Sequence, residues 1–306
     1  MTPEAFAELR PSGDGAGFAW LHMARDHPNL EGYLAACGID RFVREALTAD
    51  ETRPRCTVHG NGVLLNLRGV NLNPGAEPED MVSVRFWIEA HRIVGLWVRP
   101  LVAVADLKAA AERGQAPVSP GDLVAKLALR LADRAEPVVA ALNEKIDTLE
   151  EQVLDAEGGI SREELSGVRR SAILLRRYLL PQRDALTTLE IEDLGWLSDR
   201  DRSHLREAAE RVLRLGEDLD AIRDRSQVVH DQIMDRRAER MNNQMLVLSV
   251  VAAIFLPLGL LTGLLGINVG GIPGTDNPWA FWIVCAALIA TAVALVLWFR
   301  RIGLFR

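Results

Sequence analysis

Two uncharged apolar runs close to the carboxy terminus constrain this chain more than any other feature. Met245 to Leu265 reads MLVLSVVAAIFLPLGLLTGLL, in which Ser249 and Thr262 are the polar side chains. Trp279 to Phe299 reads WAFWIVCAALIATAVALVLWF, with Thr291 alone of that kind. Each run is about as long as the ~20 residues a helix needs to cross a ~30 Å hydrocarbon layer. A buried core hairpin is the alternative, but two uncharged runs joined by a Gly/Pro-rich loop are unusual in soluble domains, and the hydropathy rule reads two spanning helices.

The flanks orient them. Arg236, Arg237 and Arg240 precede the first run, Arg300, Arg301 and Arg306 follow the second, and the loop 266–278 between them has no Lys or Arg. By the positive-inside rule both termini are expected in the cytoplasm. Trp279, Trp282, Trp298 and Phe299 stand at the ends of the second run, where amphipathic rings favour the headgroup layer. Two helices cannot enclose a water-filled path by themselves, so any transport role requires several copies around an axis.

Bulk composition conceals this division. The 306 residues carry a formal net charge of -7 and a mean hydropathy of +0.06, the averages of an ordinary soluble protein. Yet only three of the 35 basic residues and one of the 42 acids, Asp276, lie from Asn242 onward. The rest is acidic and lacks a basic patch interleaved with aromatics, so no nucleic-acid partner is expected. Cys37, Cys56 and Cys285 have no zinc-type spacing and fit a reduced cytosolic domain. The start, MTPEAFAELR, shows no signal-peptide pattern. Phosphate-binding loops, nucleophile elbows and kinase signatures are absent from the sequence, so neither an enzyme, a resident cofactor nor nucleotide-driven pumping is expected. The six histidines are scattered without metal spacing and read as surface or capping residues.

Residues 1–118 read as a small α/β domain. Val82, Val84, Phe86 and Ile88 alternate with Ser83, Arg85 and Trp87, the period of a strand with one buried face. Val63 to Val70 and Ile93 to Val98 are further strands, and Leu30 to Leu47 and Val102 to Ala111 are helical, which suggests α/β/α layers. Residues 119–202 read as a helical bundle. Ser119 as N-cap and Pro120 at N1 open a helix whose stripe is Leu123, Leu127, Leu131, Val138, Leu142, Ile146, Leu149 and Val153. A second helix starts at the capping box Ser161 to Glu164, after Gly158-Gly159, and runs to about Glu190, with a kink expected at Pro181.

Residues 203–244 form a stalk expected to continue into the first span, 245–265, as one helix of ~60 residues, about 90 Å long. Leu205, Ala209, Val212, Leu219, Ile222, Val229 and Ile233 make its packing stripe. Another face carries Glu217, Asp224, Asp231 and Asp235, and at the same spacing presents Asn242, Met245, Ser249, Ala252, Leu256, Gly259 and Gly263. In a ring of identical chains each position becomes a ring of ligands: Asp224, Asp231 and Asp235 would concentrate cations, while Met245 and Leu256 would make dewetting constrictions. A solvated stalk and a close-packing membrane face account for the same residues without a pore.

The loop decides between these. Phe255-Leu256-Pro257-Leu258 and Leu261-Thr262-Gly263-Leu264 lead into Gly266-Ile267-Asn268, followed by Val269-Gly270-Gly271-Ile272-Pro273-Gly274. This resembles the CorA superfamily of divalent-cation transporters, marked by Gly-x-Asn at the end of the first of two carboxy-terminal helices. Ile267 stands where the magnesium transporters have Met, and the GGIPG extension is similar to the zinc-transporting ZntB branch. Asp50-Glu51-Thr52-Arg53-Pro54-Arg55, Arg176-Arg177-Tyr178 and Pro181-Gln182-Arg183-Asp184 resemble segments of the same branch.

The resemblance implies a homopentameric funnel in the bacterial inner membrane, with the loop 266–278 outside, the second span at 279–299 and a cytosolic basic tail at 300–306. It implies proton-coupled Zn2+ uptake; zinc efflux, a broader Mg2+, Co2+, Ni2+ or Cd2+ range, or a membrane-anchored coiled-coil scaffold or sensor are the alternatives. Asn268 would stand at the entrance, with Leu256, Leu248 or Ser249, Met245 and Asn242 below, and Asp231 at the inner mouth. Five neutral amide oxygens can hydrogen-bond the water shell of a divalent ion without stripping it, so the ion is held transiently at Asn268 rather than trapped in a tetrahedral site.

Overall fold

The computed structural model of the chain describes residues 18–50, 53–154, 162–267, 272, 274 and 277–302. Two compact units divide it, Met1–His230 and Asp231–Arg306.

The first unit is built on a sheet of five strands, β1 (Ala19–Ala24), β2 (Arg55–His59), β3 (Gly62–Gly69), β4 (Val82–Glu89) and β5 (Arg92–Trp97). Their order is β1-β5-β4-β3-β2, with β1 parallel to β5 and the other pairs antiparallel. The three expected strands are β3, β4 and β5. β1 and β2 lack clear alternation: AWLHMA is covered on both faces, while RCTVH is an edge strand of half-buried and exposed positions.

β4 corrects the expectation of one buried face, because Ser83, Arg85 and Trp87 are as buried as Val84 and Phe86. Helices α1 (Leu30–Ala36) and α2 (Arg41–Thr48) cover that side. Trp87, Leu64, Val94 and Leu96 from the sheet share one core with Leu30, Leu34, Val43 and Leu47. The helical reading of Leu30 to Leu47 is thus two helices, broken at Gly38, whose φ of 69° suits glycine. Asp40 restarts the chain as N-cap, its Oδ1 accepting the Val43 amide at 2.9 Å, and that bond holds its carboxyl below the usual range.

The other face carries α3 (Val102–Ala110), a π-helical turn at Ala111–Gln115, and α4 (Pro120–Leu154). Approach there is close: a Cβ on Gly69 would stand 2.7 Å from Leu101 Cδ1 and from Leu131 Cδ2. Ser119 caps α4, its Oγ accepting the Asp122 amide at 3.0 Å. The α4 stripe is as read except that Val139 is buried where Val138 was expected.

Arg162–Ile191 is α5, which continues through Pro181. Ser161 and Gly158-Gly159 lie outside the described residues. α6 runs from Asp199 to Leu265 as one helix of 67 residues, and it starts four residues before the expected Ser203. Ser198 is the reason: its Oγ accepts the Asp201 amide at 3.2 Å while Asp201 Oδ2 accepts the Ser198 amide at 3.1 Å, a reciprocal cap. All seven residues of the expected packing stripe, from Leu205 to Ile233, are buried.

Candidate pore helix and membrane-edge motif

The second unit holds the apolar end of α6 and α7 (Ala280–Arg301), which among the described residues are the two helices long and apolar enough to cross a membrane. Their two threonine side chains are satisfied within the helix. Thr262 Oγ1 donates to Leu258 O at 3.0 Å and Thr291 Oγ1 to Ala287 O at 2.8 Å, which spares either hydroxyl an unpaired state in hydrocarbon. Arg300 and Arg301 close the last turn of α7, where cations favour the helix dipole.

Sidedness on α6 gives the site its geometry. Val250 is buried and Ile254, Pro257 and Leu258 are half-buried, a stripe at helical spacing. At ~100° per residue this stripe lies opposite the face of Met245, Leu248, Ser249, Ala252, Leu256, Gly259 and Gly263, all exposed in the single chain. Leu256 is 78% exposed. A Cβ added at Gly259 or Gly263 would meet nothing within 4 Å, so no neighbour in this chain requires these glycines. α7 likewise has one half-buried stripe, Val284, Leu288, Thr291, Leu295 and Phe299, and leaves Trp279, Trp282 and Trp298 exposed near its ends.

The acidic positions differ among themselves. Asp224, in the first unit, shares its charge with Arg223, whose Nη2 is 2.7 Å away. Asp231 and Asp235 are exposed, one turn apart, and Asn242 follows on the same helix, also exposed. At the other end the Gly266 amide donates to Thr262 O at 3.0 Å and to Gly263 O at 3.2 Å, ending α6 within the motif. Ile267 is exposed. Asn268 lies outside the described residues, as do Gly270, Gly271, Pro273 and Asp276.

Fixed metal chemistry has little to build on. Among the described residues no group of three His, Cys, Asp or Glu side chains converges as a metal site. Burial, and then Glu192, pushes the Cys56 thiol up to about 12, far from the thiolate that zinc takes as a ligand.

The comparisons match this architecture. The family model of the CorA-like Mg2+ transporter protein spans residues 15–301. The chain is 41% identical over 288 residues to the divalent cation transporter CmaX of Pseudomonas aeruginosa, covering 92% of this chain and 86% of that protein. It is 36% identical over 283 residues to the zinc transport protein ZntB of Pectobacterium atrosepticum, with the same coverage of 92% and 86%. The solved structure of full-length CmaX superposes with a TM-score of 0.82 at 40% identity, over 93% of this chain and 88% of that one. CorA from Methanocaldococcus jannaschii shares the fold, with a TM-score of 0.83 at 19% identity over 98% and 95% of the two chains. With both the sheet domain and the two apolar helices inside the matched span, the chain belongs to the CorA-like family of divalent-cation transporters, in its ZntB-like branch.

Proposed function

We propose that this protein takes up Zn2+ across the bacterial inner membrane, coupled to protons, as a homopentamer with both termini in the cytoplasm. The observation that carries this reading is the two-sidedness of α6: one stripe is covered within the chain, and the opposite face, from Asn242 to Gly263, is left open to copies of itself. Five such faces around an axis make a path whose walls need no second kind of subunit. Asp231 and Asp235 raise the local cation concentration at its inner mouth, Met245 and Leu256 are its apolar constrictions, and Asn268 meets the hydrated ion at its entrance. Zinc is cargo here, held by water and amide oxygens and released again. The relatives named for zinc transport support the choice of ion.

A broader divalent range is the second reading, favoured by the higher identity to a relative named simply for divalent cations. Purified protein in liposomes loaded with a zinc-sensitive dye, with and without a pH gradient, tests both. Zinc entry above protein-free liposomes that accelerates with an inward proton gradient is expected. Absence of entry sinks the transporter reading, entry indifferent to the gradient sinks proton coupling alone, and equal rates for Mg2+ favour the broader range.

A further inference from the structure

The strongest unassigned feature lies in the first unit, far along the sequence from the apolar helices. Arg85 points from the middle of β4 onto the face covered by α1 and α2, and it is 2% exposed. A guanidinium cannot shed its charge at neutral pH; burial, with Arg25 and Arg68 nearby, pulls Arg85 down only to about 10. A buried cation ordinarily has a buried carboxylate beside it. Arg85 has backbone carbonyls instead: Nη1 donates to Leu47 O at 2.7 Å and to Ala49 O at 2.5 Å. Its Nε is buried and has no hydrogen-bond partner. Among the described residues, the acid whose charge acts on Arg85 is Asp50, and its side chain is 97% exposed and 3.3 Å from Arg25.

Around this group the sheet and α5 leave a cavity of about 270 Å³. Arg25, Arg68, Arg85 and Arg99 line it, against Asp50, Glu79 and Asp80. The acids are partly engaged elsewhere: Glu79 Oε1 accepts the Ser171 hydroxyl at 2.6 Å. Arg68 is fixed in place, its Nη1 donating to Met81 O at 2.8 Å and its guanidinium lying 4.2 Å from the centroid of the Tyr178 ring. The volume falls just below the ~300 Å³ at which sites for drug-sized molecules begin, so it suits a small ion rather than an extended ligand.

We propose that this cavity is a binding site for a small phosphate-type oxyanion, held by Arg85 from the sheet face and by Arg25 and Arg68 at its sides. Three guanidinium groups supply fork-shaped donors for tetrahedral oxygens, and the anion provides the counter-charge that the buried Arg85 lacks. The site is built from residues of the first unit alone and does not depend on which metal is carried.

Inorganic phosphate is the probe, titrated into the full-length protein in detergent at constant ionic strength and followed by calorimetry and by thermal unfolding. Saturable binding with a raised Tm is expected, and potassium chloride at the same ionic strength should give neither. Arg85→Met retains volume but removes the donors; because a core substitution can impair folding, Arg25→Gln at the cavity wall is the parallel variant. Each should weaken phosphate binding about tenfold or more, the cost of losing a charge-assisted hydrogen bond. Stabilisation that chloride reproduces, absence of saturation, or unchanged affinity in Arg25→Gln and Arg85→Met alike would overturn the proposal.

Discussion

Arg225 of α6 is clamped by Glu150 of α4: its Nε stands 2.8 Å from Glu150 Oε1, and its Nη2 also meets the second carboxylate oxygen. The same guanidinium reaches Asp147 Oδ1 at 2.5 Å and Asn143 Oδ1 at 3.0 Å, so one side chain ties three positions of α4 to the helix that continues toward the apolar end. Those hydrogen bonds, Glu150 first and Asp147 next, raise the pKa of Arg225 beyond its already high value. Beyond Arg225 the stripe residues Val229 and Ile233 remain buried, while Asp231 and Asp235 stand exposed.

Removing the clamp should therefore loosen the stalk. Arg225→Gln leaves Asp147 and Glu150 as like charges on one helix face without their cation. About a third of the Arg225 side chain is exposed, so solvent screening limits the expected loss to about 1 kcal/mol. A double-mutant cycle with Glu150→Gln, read by thermal unfolding of the full chain in detergent, should show coupling. Additivity of the two substitutions would mean that the contact holds nothing together.

Acid stability is governed in part by His22. Burial first, and the positive Lys108 second, hold its imidazole down to about 3 from an ordinary 6.5. It is therefore neutral in the folded protein at any pH between those values, whereas the unfolded chain takes up the proton. Stability is unaffected above about pH 6.5 and falls as pH drops toward 3, by about 2 kcal/mol between pH 7 and pH 5. His22→Gln cannot titrate; its unfolding free energy should change less over that interval, by about the same amount. An unaltered slope in denaturant titrations at the two pH values would remove His22 as the cause.

Beside His22 the sheet tolerates no added methyl. A Cβ on Gly95 would stand 2.7 Å from His22 Nδ1 and 2.9 Å from Phe86 Cε1, among rings that are themselves packed with Trp20 and Trp97. Gly95→Ala should destabilise the first unit by about 1–3 kcal/mol, the cost of overpacking a filled core. Gly38→Ala tests a different cause, since that glycine has open space around it but a φ of 69°. Its loss should be smaller, about 1 kcal/mol from backbone strain alone. Equal melting temperatures for wild type and Gly95→Ala would show that the sheet can yield there.

These positions also show where the sequence is legible. Long helices announce themselves through Ser119, Pro120 and continuous leucine stripes, and the apolar spans through the absence of charge. The strands β3, β4 and β5 carry enough β-branched and aromatic residues to be found. Trp87 and Arg85 could not be placed, because on a sheet covered on both sides alternation no longer reports burial. The parallel pairing of β1 with β5 is a long-range choice that no local pattern encodes. On α6, periodicity finds the Asn242 to Gly263 face, which the single chain leaves exposed.

Electrostatic attraction at the inner mouth should follow ionic strength. Asp231 and Asp235 are exposed, so their field on a passing cation is screened by salt. The double substitution Asp231→Asn with Asp235→Asn should reduce zinc flux a few-fold at low salt in the liposome assay, with the difference shrinking as the Debye length falls to about 10 Å at 0.1 M. A loss independent of salt would assign these residues to direct ion contact or to assembly.

The sharpest test concerns the end of α6. Gly266 closes the helix through its bonds to Thr262 O and Gly263 O, so the turn is already satisfied by backbone before Asn268 is reached. If Asn268 served only to cap that end, Asn268→Ala would leave transport intact, because Thr262 O and Gly263 O have a backbone partner without it. As an entrance ligand its amide oxygen is repeated in every copy around the axis, and Ala removes all of them at once. Zinc entry should then fall at least tenfold, equivalent to about 1.4 kcal/mol of lost stabilisation for the whole ring. Asn268→Asp, which keeps an oxygen but adds a charge to each copy, should bind the ion more tightly and release it more slowly. Its flux should saturate at lower zinc and at a lower maximum, a pattern that a capping role does not produce.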